Sequence, residues 1–328
     1  MSQLVYLAND EYSLVVEGSH LRLHKPEQRL APCIPLSEID QVILAGTCSL
    51  DSLSLRKLCA QGISVLLLDP RHPAASAYCI GEFGGNLPRR WQQHQWLIDE
   101  TSQLRFVQAL LGQRLREQRH MLQKGMAERP SLRLPLFQAC NQLTERLNML
   151  KTQTSLNSLR GIEGAASASF FNGYQQLFAP SLGFRKRVRR PPTDPVNAVL
   201  SLGYTLLLGE CLRLLISLGF DPWLGSLHRP AYNRPSLACD LQELGRGKVE
   251  YLIWHLFRKR ILTQHHFSEH EYGCRLTKEG AALFYRDWAT FRKSLASYLE
   301  HNTHRYIRLS GNRNSTIQSG EERDYDTF

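Results

Sequence analysis

The sequence predicts an α+β protein in which an N-terminal β-rich domain is followed by a larger all-α domain. Three observations lead to this prediction. Short apolar and β-branched runs dominate residues 1–84, and long segments with a 3.6-residue apolar period occupy residues 92–300. Between them Gly84, Gly85 and Pro88 interrupt both patterns, so residues 85–91 are predicted to be a linker.

The N-terminal elements follow from short-range signals. Two apolar runs flank the Glu17-Gly18 turn and predict a hairpin. Leucines at helical spacing predict a helix over Asp51–Ala60, with Gly62 as the stop signal. The predicted strands are Leu4–Leu7, Ser13–Val16, Leu21–His24, Gln41–Leu44, Ile63–Leu68 and Ala74–Ile80.

In the helical part, the best-marked helix has Asp194 as N-cap, Pro195 at its first position and Gly219 at its end. The polar, mixed-charge composition of residues 301–328 predicts a disordered tail. The other predicted helices are Gln92–Lys124, Leu134–Lys151, Leu156–Phe178, Pro235–Leu262 and Thr277–Glu300.

Composition favours a polyanionic partner. Forty Lys+Arg against thirty Asp+Glu give a net charge of +10, which attracts nucleic acid before membrane, although many basic proteins bind neither. None of the eight cysteines forms a Cys-x-x-Cys pair, so we expect scattered thiols in a reducing cytoplasm. No stretch of the sequence approaches the roughly 18 consecutive apolar residues of a membrane span, so we expect no transmembrane helix. The sequence contains no P-loop, dinucleotide fingerprint or nucleophile elbow, which argues against the commonest ATPases, dehydrogenases and hydrolases.

A carboxylate interrupts an otherwise apolar helix stripe. Glu163 falls in line with Leu159, Ala166 and Phe170. A buried charge is costly unless it is paired or bound to a metal, so Glu163 is a candidate ligand. Taken by itself, the segment favours the alternative that Glu163 pairs with Arg160 or another basic residue.

A second set of polar residues lies near the end of the marked helix. His228 is on a predicted loop, and Asp240 and Glu243 share one face of the next helix at a spacing of three. Like charges at this spacing repel, and a bound cation is one remedy. A lone histidine and an acidic pair on a solvated helix are each more often structural, so this alternative stays open.

Carboxylates with an imidazole and no thiol suit a hard divalent ion, Mg²⁺ or Mn²⁺, and the imidazole favours manganese. Such an ion polarises a phosphoryl oxygen and activates water or a 3′-hydroxyl. A rival metal cluster is His265, His266 and His270, in a predicted polar turn.

A basic segment precedes the marked helix and is a candidate clamp for DNA phosphates, with a solvated turn as the alternative. On that helix, Asn197, Ser201 and Tyr204 form a polar stripe that we expect to face a site. The candidate DNA-binding residues are Arg185, Lys186, Arg187, Arg189 and Arg190.

Four linked blocks resemble the CRISPR-associated spacer-acquisition endonuclease/integrase family, called Cas1, in the family's order. They are Leu159–Ala166, Arg189–Leu206, Gly219–His228 and Arg234–Glu243, and the resemblance covers roughly residues 1–300. It implies that Glu163, His228 and Glu243 are catalytic and hold the metal. Asp240 matches a further acidic position that supports activity, and whether Asp240 or Glu243 is the direct third ligand stays open.

The resemblance also implies a reaction and partners. The 3′-hydroxyl ends of a spacer-precursor duplex would be joined into the leader-proximal CRISPR repeat by transesterification, with related nuclease activity on branched DNA. Residues 1–84 would dimerise, residues 92–300 would be catalytic, and two homodimers would flank the small protein Cas2 in a heterohexamer. The family usually follows the last block with a Pro-Phe-Arg-Pro-like stretch and an aspartate, of which residues 244–249 keep only Arg246, a candidate site-lining residue with Asn197 and Tyr204.

Two other functions fit the same residues. One is a catalytically silent DNA-binding scaffold of the same assembly, and the other is a general branched-DNA repair nuclease.

Overall fold

The computed structural model describes residues 3–8, 12–25, 32–45, 47–69, 76–81, 87–189, 191–271 and 273–310, with side chains as far as residue 305. The predicted α+β class is confirmed: strands fill the N-terminal part and helices most of the remainder. Residues 82–86 of the glycine-rich break and residues 311–328 of the predicted tail lie outside the described residues.

The N-terminal strands form two four-stranded sheets. One has the order β1-β5-β7-β8 and the other β4-β3-β2-β6. The strands are β1 (Gln3–Leu7), β2 (Ser13–Glu17), β3 (His20–His24), β4 (Cys33–Pro35), β5 (Ile39–Leu44), β6 (Ser49–Leu50), β7 (Ser64–Leu67) and β8 (Ala77–Cys79), with helix α1 at Ser52–Ala60. The hairpin, the helix and the central strands therefore agree with the sequence pattern, whereas β4 and β6 are too short to have been predicted.

The first sheet is buried on both faces because its side chains alternate between two cores. Val42 and Val65 join a core with the second sheet and α1. Ile43 and Leu66 point the other way, into the large core of the helical part. This sheet connects the two parts of the chain.

Seven α-helices make up most of the rest of the described chain: α2 (Leu87–Ile98), α3 (Glu100–Glu128), α4 (Arg133–Leu150), α5 (Leu156–Tyr174), α6 (Pro195–Ser217), α7 (Ser236–Arg258) and α8 (Lys278–Ser310). The helix predicted over Gln92–Lys124 is interrupted at Asp99, whose carboxylate accepts from the backbone N–H of Thr101 and Ser102 and starts α3. Helix α2 begins inside the segment predicted as a linker.

Two further predictions need correction. The helical part is not all-α, because β9 (Phe267–His270) and β10 (Gly273–Leu276) form an antiparallel hairpin. Helix α8 continues to Ser310, ten residues into the segment predicted as tail.

Helix α6 is long and apolar enough, by length and composition, to cross a membrane, contrary to the prediction that no window approaches a span. In the structure it is a core helix, and 67% of its most apolar window is buried. Such a core helix passes the same test as a membrane span.

Polar contacts also join the sheet to the helices. The buried Arg292 of α8 lies 3.4 Å (Nη1 to Oδ2) from Asp40 of β5, and its Nε donates to Glu210 of α6 at 2.5 Å. The ring of Tyr6 on β1 stacks on that of Tyr285 on α8. These contacts fix α6 and α8 against the first sheet.

Candidate functional site

Glu163 lies in the middle of α5, on the stripe the sequence predicted. Leu159, Ala166 and Phe170 of that stripe are buried, whereas the Glu163 side chain is 28% exposed. Helix α5 begins at its N-cap Ser155, whose hydroxyl accepts from the backbone N–H of Ser158 at 3.1 Å. The helix therefore holds Glu163 at the edge of the core, where one side of the carboxylate meets solvent.

Arg114 of α3 joins the two predicted glutamates. Its Nη1 donates to Glu163 Oε1 at 2.8 Å and also to Glu243 Oε2, and its Nη2 donates to the hydroxyl of Ser167 at 2.7 Å. Although burial opposes its charge, Glu243 and Glu163 raise the pKa of Arg114. Burial raises the pKa of Glu163, but Arg114 outweighs it and the net shift is downward. Two carboxylates from separate helices therefore converge on one cationic nitrogen.

Glu243 is almost completely buried in α7, with 1% of its side chain exposed. Its second oxygen, Oε1, lies 3.1 Å from Nε of Arg246, one helical turn further along. A buried carboxylate is tolerable when cations neutralise it, and here Arg114 and Arg246 do so from two directions.

Asp240 organises the loop that carries His228. Its carboxylate accepts from the backbone N–H of Ser226 (2.6 Å), Leu227 (3.0 Å) and His228 (2.8 Å), and lies 2.7 Å from His228 Nδ1. These contacts occupy Asp240, which is fully buried, and leave Nε2 as the ring nitrogen of His228 available to a substrate or ion. The side chain of His228 is 31% exposed.

Arg160 fixes the same loop from α5. Its Nε donates to the carbonyl of Leu227 at 2.6 Å and its Nη2 to that of Ser226 at 3.1 Å. Arg160 is therefore not the partner of Glu163, but the alternative that Glu163 pairs with another basic residue is what the structure shows, and that residue is Arg114. Gly225 precedes these residues, and a Cβ there would lie 2.5 Å from the carbonyl carbon of Ser236, so this close approach requires glycine.

Within the described ranges, no three His, Cys, Asp or Glu side chains stand close enough together to hold a metal ion. Glu163 and Glu243 nonetheless converge, and the cation at their meeting point is Arg114. The two carboxylates are the kind of donor that a hard divalent ion prefers, but His228 does not complete a cluster of three with them in the described part of the chain. The arrangement thus favours positive charge between the two glutamates.

The rival histidines, His265, His266 and His270, do not form a metal-binding cluster of three in the described part of the chain. The ring of His266 accepts from the backbone N–H of Thr263 at 3.0 Å and so starts a short helical turn. His270 is on β9 and pairs with the hydroxyl of Ser268 at 2.9 Å. Both have structural partners.

The basic segment is divided in the structure. Arg185, Lys186 and Arg189 are exposed, as a phosphate clamp requires. Arg187 is turned inward instead, where its Nη1 donates to Asn197 Oδ1 at 2.9 Å, and burial lowers its pKa. Arg190 lies outside the described residues.

The polar stripe of α6 faces this segment. Ser201 accepts from Arg187 Nη2 at 3.0 Å, and Asn197 accepts from the backbone N–H of Val188 at 2.9 Å. Tyr204, the third member, donates its hydroxyl to Glu250 of α7 at 2.6 Å. The stripe therefore joins the basic segment to α7.

Sequence reasoning missed Arg114 and Glu250. Arg114 is one of several arginines between leucines on α3, and Glu250 follows residues 244–249, which keep only the arginine of the family's pattern. In both cases the signal available was a charged residue on a helix face that is otherwise buried.

The fold and these residues place the protein in a class with a small β-sheet part, a larger helical bundle, and a site of carboxylates and an imidazole near a basic segment. The family model described as "CRISPR associated protein Cas1" matches residues 5–290. A curated relative from Thermodesulfovibrio yellowstonii, named CRISPR-associated endonuclease Cas1 1, is 34% identical over 284 residues, which are 86% of this chain and 88% of the relative. This chain belongs to the Cas1 family.

Solved structures show the same fold. A CAS1 protein from Thermotoga maritima has a TM-score of 0.81 at 21% identity, covering 98% of this chain and 100% of its own. A casposase bound to integration product has a TM-score of 0.79 at 19% identity, covering 99% and 96%. A chain of a Cas6-RT-Cas1–Cas2 complex has a TM-score of 0.77 at 23% identity, covering 94% of this chain and 35% of that one.

Proposed function

We propose that the protein is a divalent-metal-dependent DNA endonuclease and integrase of CRISPR adaptation. The observation that carries the proposal is the convergence of Glu163 and Glu243, from two helices, on a single cationic nitrogen of Arg114. This is the electrostatic requirement of a cation site, and membership of the Cas1 family gives it a DNA substrate.

Glu163 and Glu243 would hold the ion, Mg²⁺ or Mn²⁺, and the Nε2 atom of His228 would have to move toward them to join as a third ligand, since the three do not form a cluster among the described residues. When bound, the ion supplies charge stabilisation at a phosphoryl oxygen and lowers the pKa of a coordinated water or 3′-hydroxyl. Asp240 then acts through the histidine, because its bond to Nδ1 fixes the ring's orientation and tautomer. This assigns Glu243 as the direct acidic ligand and Asp240 as the positioning residue.

The basic segment would bind DNA backbone. Arg185, Lys186 and Arg189 are exposed and can reach phosphates without reading bases, which suits a spacer-precursor duplex of arbitrary sequence. Arg246 lies beside Glu243 and is a candidate contact to the reacting phosphate.

We further propose that the chain works as a homodimer through its N-terminal sheets and assembles with Cas2 on the CRISPR repeat. Support comes from the family and from the fold likeness to a chain of a Cas1–Cas2 complex. Since the target is the cell's own repeat DNA, we place the activity in the cytoplasm.

The first experiment is cleavage of a forked DNA with Mn²⁺ or Mg²⁺. We expect Glu163→Gln to reduce the rate by more than about a hundredfold, since even residues supporting a metal ligand cost 10–100-fold. Glu145→Gln, an exposed glutamate of α4, is the matched control and should cut like the parent. Equal cutting by Glu163→Gln and the parent would refute the assigned site, and a parent that binds without cutting would indicate a silent scaffold.

The second experiment separates CRISPR integration from general repair. A duplex with 3′-hydroxyl ends is offered to a plasmid carrying a leader and repeat, with and without Cas2. Joining at the repeat that requires Cas2 is the expected result. Cutting of forks without any such joining would favour the branched-DNA repair nuclease.

A further inference from the structure

Glu250 is a fully buried carboxylate for which the proposed chemistry has no use. It lies on α7, two turns beyond Glu243, and is 0% exposed. Tyr204 donates its hydroxyl to Oε1 at 2.6 Å, and Gln118 of α3 donates Nε2 to Oε2 at 2.9 Å. Both side-chain partners are donors, so the carboxylate acts as an acceptor throughout. If this position served packing alone, an apolar residue would do as well, since buried ions contribute little to stability.

The ring of Tyr204 carries two guanidinium groups. The guanidinium carbon of Arg246 lies over the ring at 5.0 Å from its centroid, and that of Arg187 at 5.6 Å. Attraction of a cation to an aromatic face comes from the electron density of the ring. A phenol that donates to a carboxylate gains electron density, so Glu250 strengthens the hold of Tyr204 on both arginines.

These two arginines connect different parts of the site. Arg246 lies beside Glu243, a proposed metal ligand. Arg187 donates to the carbonyl of Val188 at 2.6 Å and so shapes the basic segment from within. Tyr204 therefore contacts both Arg246, beside the proposed metal ligand on α7, and Arg187, at the base of the basic segment.

We propose that the buried Glu250 and the partly buried Tyr204 form a positioning pair that holds Arg246 and the Arg187-anchored basic segment in one arrangement, so that both engage the phosphates of the same DNA. The proposal rests on the proposed function, because it assumes that DNA is the ligand of this face. Both members would act through the two arginines.

The test is equilibrium binding of a blunt DNA duplex across a NaCl titration, in EDTA so that no cleavage is needed. The variants are Tyr204→Leu, which removes the ring, and Tyr204→Phe, which keeps the ring and breaks its link to Glu250. Tyr174→Phe is the matched control. It also removes a buried tyrosine hydroxyl that donates to Glu250, but to the backbone carbonyl (2.8 Å).

We expect Tyr204→Leu to raise the Kd about tenfold, from two lost cation–π contacts. The plot of log K against log salt should become less steep by about 1, which corresponds to the loss of one phosphate contact. Tyr204→Phe keeps the ring, so its salt dependence should be close to that of the parent, and its Kd should be about threefold higher. Tyr174→Phe should lower the melting temperature and leave Kd and slope unchanged, because it touches no arginine.

The proposal is overturned if Tyr204→Leu binds with the parent's Kd and slope, or if Tyr174→Phe changes them equally. If circular dichroism shows that Tyr204→Leu is unfolded, comparison of Tyr204→Phe with Tyr174→Phe decides, and equal Kd values refute the pair. A parent that binds DNA but never cuts it refutes the proposed function and leaves the pair standing. A parent that does not bind DNA refutes both.

Discussion

Replacing Arg114 with glutamine tests whether the two glutamates form a cation site. The substitution keeps a polar side chain of similar reach but removes the charge on which Glu163 and Glu243 converge. Removing one partner of a buried ion pair typically costs about 3–5 kcal/mol. Water reaches Glu163, and Arg246 still faces Glu243, so we expect the lower end, about 3 kcal/mol. This corresponds to a melting temperature lower by roughly 6 °C.

A divalent ion should compensate for the lost arginine. At a hundred times its Kd, a ligand that binds the folded state alone stabilises it by about 2.7 kcal/mol. Thermal unfolding of Arg114→Gln in EDTA and in saturating MnCl₂ should therefore differ by roughly 5 °C. The parent should gain less, because there Arg114 competes with the ion for the same oxygens.

The double variant Arg114→Gln/Glu163→Gln is the control. With one carboxylate neutralised, less repulsion remains to be relieved, so it should be more stable in EDTA than the single variant and gain little from Mn²⁺. If Mn²⁺ stabilises the single and double variants equally, the two glutamates do not hold the ion and the reasoning fails.

Two further predictions concern local features. The pKa of Glu163 in the folded state lies below its ordinary value of 4.5. Its contribution to stability is therefore present above pH 4.5 and is lost as the pH falls through the lowered value. Lowering the pH should destabilise the parent more steeply than Glu163→Gln, and parallel curves of unfolding free energy against pH would contradict this. Gly225→Ala should lower the free energy of unfolding, measured in urea, by about 1–3 kcal/mol, because the added Cβ would meet backbone at 2.5 Å. The control is Gly161→Ala on α5, where no atom lies within 4 Å of the added Cβ, and it should be neutral or slightly stabilising. Equal effects of the two substitutions would refute the steric argument.

The sequence predicted most secondary-structure elements and the candidate ligands, because caps, turns and the helical period depend on residues that are close together in the chain. Asp194 caps α6 as predicted, with its carboxylate accepting from the backbone N–H of Asn197 at 2.8 Å. Glu163 also lies where a 3.6-residue period puts it. The break at Asp99 was missed because the apolar period continues through it, and a cap that interrupts a continuous stripe gives little signal.

What the sequence could not predict is how side chains pair across long separations. Arg114 meets residues 49 and 129 positions away, and nothing in its neighbourhood distinguishes it from the other arginines of α3. The same holds for Glu250, whose partner Gln118 is 132 positions distant. The resemblance gave Asp240 a supporting role in activity, but its three backbone hydrogen bonds depend on a loop conformation that composition does not encode.

The contacts of Arg292 and of the Tyr6–Tyr285 stack have a geometric consequence. They attach α6 and α8 directly to the first sheet, so packed side chains set the orientation of these helices relative to that sheet. In a dimer built through these sheets, the separation between the two reacting centres would be set by packed side chains. The fixed distance between the two centres would then set the length of DNA that is inserted, so this length would be a property of the fold.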